Sequence, residues 1–241
     1  MNAAVHPAPA YRWLCFDADG VLLDYDRAEH RALAEALGAL GREPTPELRA
    51  LYREVNRELW QAWEQGRISV EHLKTLRFER FLQRAGISAP AALFADRYLE
   101  ALARGYDLWP GCREVLSLLR QRHRLAVVTN GLSRVQRPRL EGAGLLSLFD
   151  VVIISEEIGA AKPARAFFEI AREQMGRPEP ETILIVGDSW EADIAGAVAS
   201  GWDACWFNPD GRPTPPAPTV QRVVRSWAEL RQWLVDGDQI G

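Results

Sequence analysis

Short apolar runs, each ended by a turn signal, alternate along this chain with longer stretches in which apolar positions recur every three or four residues. Runs at 13–16, 125–128, 151–154, 183–186 and 204–207 are β-rich and continuous rather than alternating. That is the pattern of strands buried on both faces of a parallel sheet. Beyond the second run, helical periods fall between the strands, as right-handed βαβ units require. One such helix starts at Pro163, carries Ala166, Phe167, Ile170 and Met175, and stops at Gly176. Pro138 would sit too deep in a helix starting at Ser133, so that helix is expected to begin near Arg137. Residues 191–199 read as a further helix, closed by Gly201.

Between the first and second strands the pattern changes to helical periodicity with no convincing strand. Helices are expected near 27–40, 46–64, 69–85 and 89–104, with breaks at Gly41, Gly66, Gly86 and Pro90. The fold class is therefore α/β, a doubly wound parallel-sheet core (residues 1–24 and 109–241) with an inserted helical domain (residues 25–108). Residues 208–218, rich in Pro, Asp and Gly, read as a surface loop. A short Val223-Val224 segment follows, then a helix near 227–235 with Ser226 as its N-cap.

Composition narrows the class. A chain of 241 residues with 47% hydrophobic residues can bury a sizeable core, which excludes disorder for most of it. With 29 basic and 33 acidic residues interspersed and a net charge of −4, it has no field to hold a nucleic-acid polymer. No stretch has the length of a membrane span, and residues 1–10 lack the basic and apolar regions of a leader, so a cytoplasmic protein, monomer or homodimer, is expected. Cys15, Cys112 and Cys205 are too widely spaced for a zinc site and read as packing residues. The four histidines, His6, His30, His72 and His123, are equally scattered and support no metal or triad.

Chemistry-bearing residues gather at the strand ends. The first strand runs into Asp17-Ala18-Asp19-Gly20-Val21, and period-two alternation puts Asp17 and Asp19 on one side of the chain. Two ionised carboxylates about 5 Å apart at an effective dielectric near 20 repel by roughly 3 kcal/mol, so the pair calls for a cation, a shared proton or both. Thr129-Asn130-Gly131 ends the second strand, Lys162-Pro163 follows the third, and Gly187-Asp188-Ser189-Trp190-Glu191-Ala192-Asp193 follows the fourth. Taken singly, a Thr-Asn-Gly is a turn, an Asp after a strand is an N-cap and a lone Lys is solvated surface. Their appearance at successive strand ends, where open α/β sheets place their sites, favours a reaction centre.

These four segments resemble the four motifs of the haloacid dehalogenase-type phosphohydrolases, and the resemblance spans nearly the whole chain. The helical insert resembles the cap that one subfamily carries after strand one. Val21 departs from the Thr that many members have at that position.

The resemblance implies that Asp17 attacks phosphorus and forms an aspartyl-phosphate. Asp19 would protonate the leaving oxygen and then deprotonate water, a role haloacid dehalogenases do without. Thr129 and Asn130 would bind phosphoryl oxygens, and Lys162 would offset charge on nucleophile and phosphate. Four acids against one lysine require a divalent cation, and Mg2+ fits as a hard, oxygen-liganded ion. Its expected ligands are Asp17, the carbonyl of Asp19 and Asp188, with Asp193 acting through water.

Substrate choice falls to the cap. The run Asn56-Arg57-Glu58-Leu59-Trp60-Gln61-Ala62-Trp63, with Arg77-Phe78 beyond it, is similar to that of house-cleaning pyrimidine 5′-nucleotidases, as is Ser155-Glu156-Glu157-Ile158-Gly159. This implies a (deoxy)pyrimidine nucleoside monophosphate as the small-molecule substrate, held by Asn56, Trp60 or Arg77. Trp60 either stacks on a base or is cap core. A phosphoglycolate or sugar-phosphate phosphatase, or a phosphomutase, would share every catalytic residue. A non-catalytic phosphosite-binding relative would have lost some of them, and a receiver-type domain would carry its acid after the third strand.

Overall fold

The computed structural model describes residues 11–237; the expectation drawn from residues 1–10, and His6 with it, lies outside them. Its chain order is β1 (Trp13–Phe16), α1 (Tyr25–Gly38), α2 (Pro46–Glu64), α3 (Val70–Arg84), α4 (Ala91–Ala103), α5 (Cys112–Leu119), β2 (Arg124–Thr129), α6 (Ser133–Gly142), β3 (Val151–Ile154) and α7 (Ser155–Ile158). Then come α8 (Arg165–Gln174), β4 (Ile183–Gly187), a π-helical turn (Trp190–Ala195), α9 (Gly196–Ala199), β5 (Asp203–Phe207), β6 (Arg222–Val224) and α10 (Trp227–Leu234).

All six strands are parallel, in the order β3-β2-β1-β4-β5-β6. β1 is central and pairs on both sides: Phe16 lies opposite Val127 of β2 and Val186 of β4. The strand order reverses about β1, so the carboxyl ends of β1, β2 and β4 open together at a topological switch point. One face of the sheet is covered by Trp13, Cys15, Ile185, Phe167, Phe168 and Ile194, among others, in a continuous apolar cluster. Cys15, Cys112 and Cys205 are buried free thiols, as expected of packing residues.

The chain divides into two compact units, and the helical one comprises Tyr25–Asp107 together with Leu132–Gly142. α2 shows why its sequence is helical. Thr45 caps it by accepting from the Leu48 amide (3.4 Å), Pro46 opens the first turn, and Tyr52, Val55, Asn56, Leu59 and Ala62 form one buried stripe. α3 starts likewise, with Ser69 accepting from the His72 amide (3.3 Å). Tyr52, Phe78, Phe81, Phe94 and Tyr98 make an aromatic core with ring centroids 5.1 to 6.1 Å apart.

Some sequence expectations are corrected. α6 begins at Ser133, not near Arg137, with Pro138 inside it. The proline forfeits one ladder bond, at about 3 kcal/mol. Burial of Leu132, Val135 and Leu140 and a bond from Arg139 Nε to the Gly105 carbonyl (2.7 Å) offset that loss. Those contacts group α6 with the helical unit, whereas its sequence position suggested the sheet core. Helix α8 begins two residues after Pro163, with Ala164 as N-cap, and 191–199 is a π-helical turn leading into α9. The Val223-Val224 segment is a sixth, edge strand. α5 and α7 were not expected.

In the sheet unit, Leu23 forms an antiparallel bridge with Leu108, and the Trp109 amide donates to the Leu22 carbonyl (3.2 Å). The points where the chain first leaves this unit and first returns to it are therefore neighbours. No helix among the described residues is long and apolar enough to cross a membrane.

Candidate active site

Asp17 is the first residue past β1, and its amide still donates to the Val186 carbonyl of β4 (3.0 Å), which fixes where the carboxylate emerges. The chain then turns sharply: the Leu22 and Leu23 amides donate to the Ala18 carbonyl (3.0 and 2.9 Å), and Gly20 adopts φ +81°. Glycine is required there twice over. The left-handed φ is strained for other residues, and a Cβ would lie 2.7 Å from Asp188 Oδ2. Val21 is a core residue whose carbonyl accepts from Trp227 Nε1 (2.9 Å), so the departure at this position affects packing.

Lys162 is fully buried, contrary to the usual fate of a lysine. Its three protons have three acceptors: Asp17 Oδ1 (2.9 Å), Asp193 Oδ1 (2.5 Å) and the Val128 carbonyl (2.8 Å). Asn130 holds the lysine by its main chain, Nδ2 donating to the Lys162 carbonyl (2.7 Å) and Oδ1 accepting from the Lys162 amide (2.8 Å). Both ends of the Asn130 side-chain amide thus serve the lysine main chain. Thr129, expected like Asn130 to bind phosphate, is buried at the end of β2, next to the carbonyl that receives the ammonium.

Asp193 projects from the π-helical turn, a deformation common at functional sites. Ser189 caps that turn by accepting from the Ala192 amide (3.1 Å), and its own amide donates to Asp193 Oδ2 (3.0 Å). Sequence reading missed Ser189, although a serine between a strand and a helix carries the N-cap signal. Gly187 is needed because a Cβ there would meet Asp193 Cβ at 2.2 Å.

The carboxylates of Asp17, Asp188 and Asp193 offer ligand atoms within 4.8 Å of one another. Their electrostatics are strongly coupled. Burial pushes the Asp17 carboxyl up; Lys162 pulls it back, and Asp193 and Asp188 raise it again. Asp188 is pushed up to about 7 by burial and by Asp193, against Lys162 and Arg212. Burial would lower the Lys162 ammonium, but Asp17 and Asp193 more than offset it and hold it charged. One lysine does not neutralise three clustered carboxylates, and an all-oxygen donor set suits a hard divalent ion. Both oxygens of Asp193 are held by protein donors, which leaves Asp17 and Asp188 as the carboxylates open to metal. Asp19, only partly buried, stands close enough to raise Asp188 further.

Within the helical unit, Asn56, Trp60 and Arg77 form one polar cluster. Asn56 Oδ1 accepts from both Trp60 Nε1 (3.1 Å) and Arg77 Nη1 (3.0 Å). Arg77 is 2% exposed, and its guanidinium lies 4.5 Å from the Phe78 ring, 5.8 Å from Tyr98 and 5.9 Å from Trp60. Trp60 is half-buried and meets Trp63 edge-on at 5.3 Å.

A model of the haloacid dehalogenase-like hydrolases matches residues 11–201. The HAD-hydrolase YfnB of Bacillus subtilis (strain 168) is 35% identical over 220 residues, covering 91% of this chain and 94% of its own. A crystal structure of YfnB bound to magnesium matches with a TM-score of 0.87 at 34% identity, over 93% of this chain and 98% of that one. Pyrimidine 5′-nucleotidase YjjG of Escherichia coli (strain K12) is 34% identical over 92% of this chain and 97% of its own. Pyrimidine 5′-nucleotidase PynA of Streptococcus pneumoniae (strain ATCC BAA-255 / R6) is 34% identical over 83% of this chain and 84% of its own. The family-model match over most of the chain, with relatives of this identity and coverage, shows that this chain is an enzyme that belongs to the haloacid dehalogenase-like hydrolases.

Proposed function

We propose that the chain is a Mg2+-dependent phosphomonoesterase that works through an aspartyl-phosphate at Asp17 and acts on pyrimidine nucleoside 5′-monophosphates. The observation that carries the phosphatase reading is the junction of Asp17, Lys162 and Asp193, with Asp188 beside it. Lys162 occupies Asp17 Oδ1, which leaves Oδ2 to attack phosphorus. As the P–O bond to the leaving group breaks, Asp19 gives that oxygen a proton. In the second half Asp19 takes a proton from water, the water oxygen attacks phosphorus, and the P–O bond to Asp17 breaks, freeing phosphate and restoring the carboxylate. Lys162, with no proton to spare, acts as a fixed charge that stabilises the transferring group, and Thr129 binds a phosphoryl oxygen. Mg2+ would be held by Asp17, Asp188 and the Asp19 carbonyl, where it supplies charge neutralisation and polarises the phosphoryl group. The crystallised relative YfnB is bound to magnesium, which supports that choice.

The nucleotide reading is supported by YjjG and PynA, both pyrimidine 5′-nucleotidases. Purified protein with Mg2+, assayed against nucleoside monophosphates, phosphoglycolate and hexose phosphates, tests both levels. UMP or dUMP should lead the panel. A tenfold advantage in kcat/KM for phosphoglycolate or a hexose phosphate would remove the nucleotidase reading and leave the phosphatase one. Full turnover by Asp17→Asn would remove the nucleophile.

A further inference from the structure

The loop between β5 and β6 is fastened to Asp188 by contacts that the chemistry above does not use. Pairing of β4 with β5 ends at Gly187 opposite Trp206, so the sheet no longer fixes the chain at the next residue, Asp188. Two side-chain donors replace it. Trp206 Nε1 (3.0 Å) and Arg212 Nη2 (2.7 Å) both donate to the Asp188 carbonyl, and the Arg212 guanidinium lies over the Trp206 ring at 5.3 Å. Arg212 is exposed, yet its backbone is pinned: buried Asn208 accepts from the Arg212 amide (2.9 Å) and donates to its carbonyl (2.8 Å). Trp190 completes the fastening, meeting Trp206 edge-on at 5.0 Å and donating to the Ala217 carbonyl (3.2 Å).

We propose that Arg212 is a positioning residue: with Trp206 it fixes the main chain of Asp188, and so aims that carboxylate at the divalent cation. With its main-chain carbonyl anchored twice, Asp188 can redirect its carboxylate only about χ1 and χ2, which is how outer partners tune metal ligands. At about pH 8.5, where Asp188 is ionised with or without Arg212 and where binding is therefore compared, position and charge make opposite predictions. A guanidinium near the site repels a cation, so its removal would tighten binding if charge were its only effect; if it holds Asp188 in place, removal weakens binding.

The inference rests on Asp188 as a cation ligand, and the test separates the two ideas. Mn2+ binding by the full-length protein, without substrate, is followed by the loss of the free-ion EPR signal. Arg212→Ala should weaken Mn2+ binding about 10-fold, and Arg212→Lys, which restores a cationic donor, should recover most of it. Trp206→Phe, which keeps the ring and removes the other donor, should weaken binding in the same direction and decides the question if Arg212→Ala fails to fold. Equal or tighter binding by Arg212→Ala, or by Trp206→Phe in its place, overturns the positioning role. Wild-type Mn2+ binding by Asp188→Asn overturns the ligand assignment and the inference with it, whereas weak binding there beside unchanged Arg212→Ala overturns the inference alone.

Discussion

Asn130 grips Lys162 at both its amide and its carbonyl, so one side chain sets the position of the ammonium that bridges Asp17 and Asp193. A lysine on a four-carbon stem would otherwise sample many rotamers; here its root is clamped and its tip is saturated.

Asn130→Ala should therefore lower kcat/KM for p-nitrophenyl phosphate by about 10- to 100-fold, the scale of a small misplacement in a preorganised site. Steady-state kinetics check this, and wild-type kcat/KM in the variant would mean the clamp is irrelevant to catalysis.

Lys162→Met removes the cation and leaves Asp17 and Asp193 buried without their partner. Breaking such a buried pair costs about 3 to 5 kcal/mol, so the metal-free variant should unfold at markedly lower urea concentration. Activity should fall at least about 10²-fold. Unchanged urea midpoints would contradict the electrostatic account of the site.

How much of this was legible beforehand depends on range. The strand runs and the acids that end them are local signals, and β1 and β3 match their expected spans, with β2, β4 and β5 within a residue at either end. Helix α2 was equally plain, because cap, proline and stripe agree. The burial of Lys162 was not visible, since it depends on Asp17, 145 residues away in the chain. Pro138 misled because its local penalty was visible while the packing of Val135 and Leu140 that outweighs it was not. β6 is three residues long, too short for periodicity to register. Arg212 carries no signal at all: it lies in a proline-rich loop, and its role comes from Asn208 and Trp206 folding it back on Asp188.

The raised Asp188 carboxyl gives a pH dependence with a definite sign. Its folded pKa of about 7 exceeds the ordinary carboxylate value of 3.8, so its contribution to metal-free stability is present at low pH and lost as pH rises through about 7. Mg2+ must displace that proton to bind, so its affinity should rise over the same interval. Thermal melts should show a larger Mg2+-induced increase in Tm at pH 8 than at pH 6. An equal increase at both would show that Asp188 is already ionised at pH 6.

Trp60 is half-buried, and its indole N–H is committed to Asn56. If its ring stacks on a pyrimidine, Trp60→Ala should raise KM for UMP about 5- to 150-fold, from ~1 to 3 kcal/mol of stacking, and spare p-nitrophenyl phosphate. Trp60→Phe, which keeps a ring, should fall between. Equal losses on both substrates, with a lowered Tm, would make Trp60 cap core.

The Leu23–Leu108 bridge bears on how the sheet unit tolerates changes in the inserted chain. Because the chain departs and returns through adjacent bridged positions, the sheet unit meets whatever lies between them as a stem meets a graft. Closing a longer or shorter loop across that stem changes the free energy only logarithmically with length. A change in the length of the segment between those positions therefore costs the sheet unit little, and Asp17, Lys162 and Asp188, which lie outside that segment, keep their places.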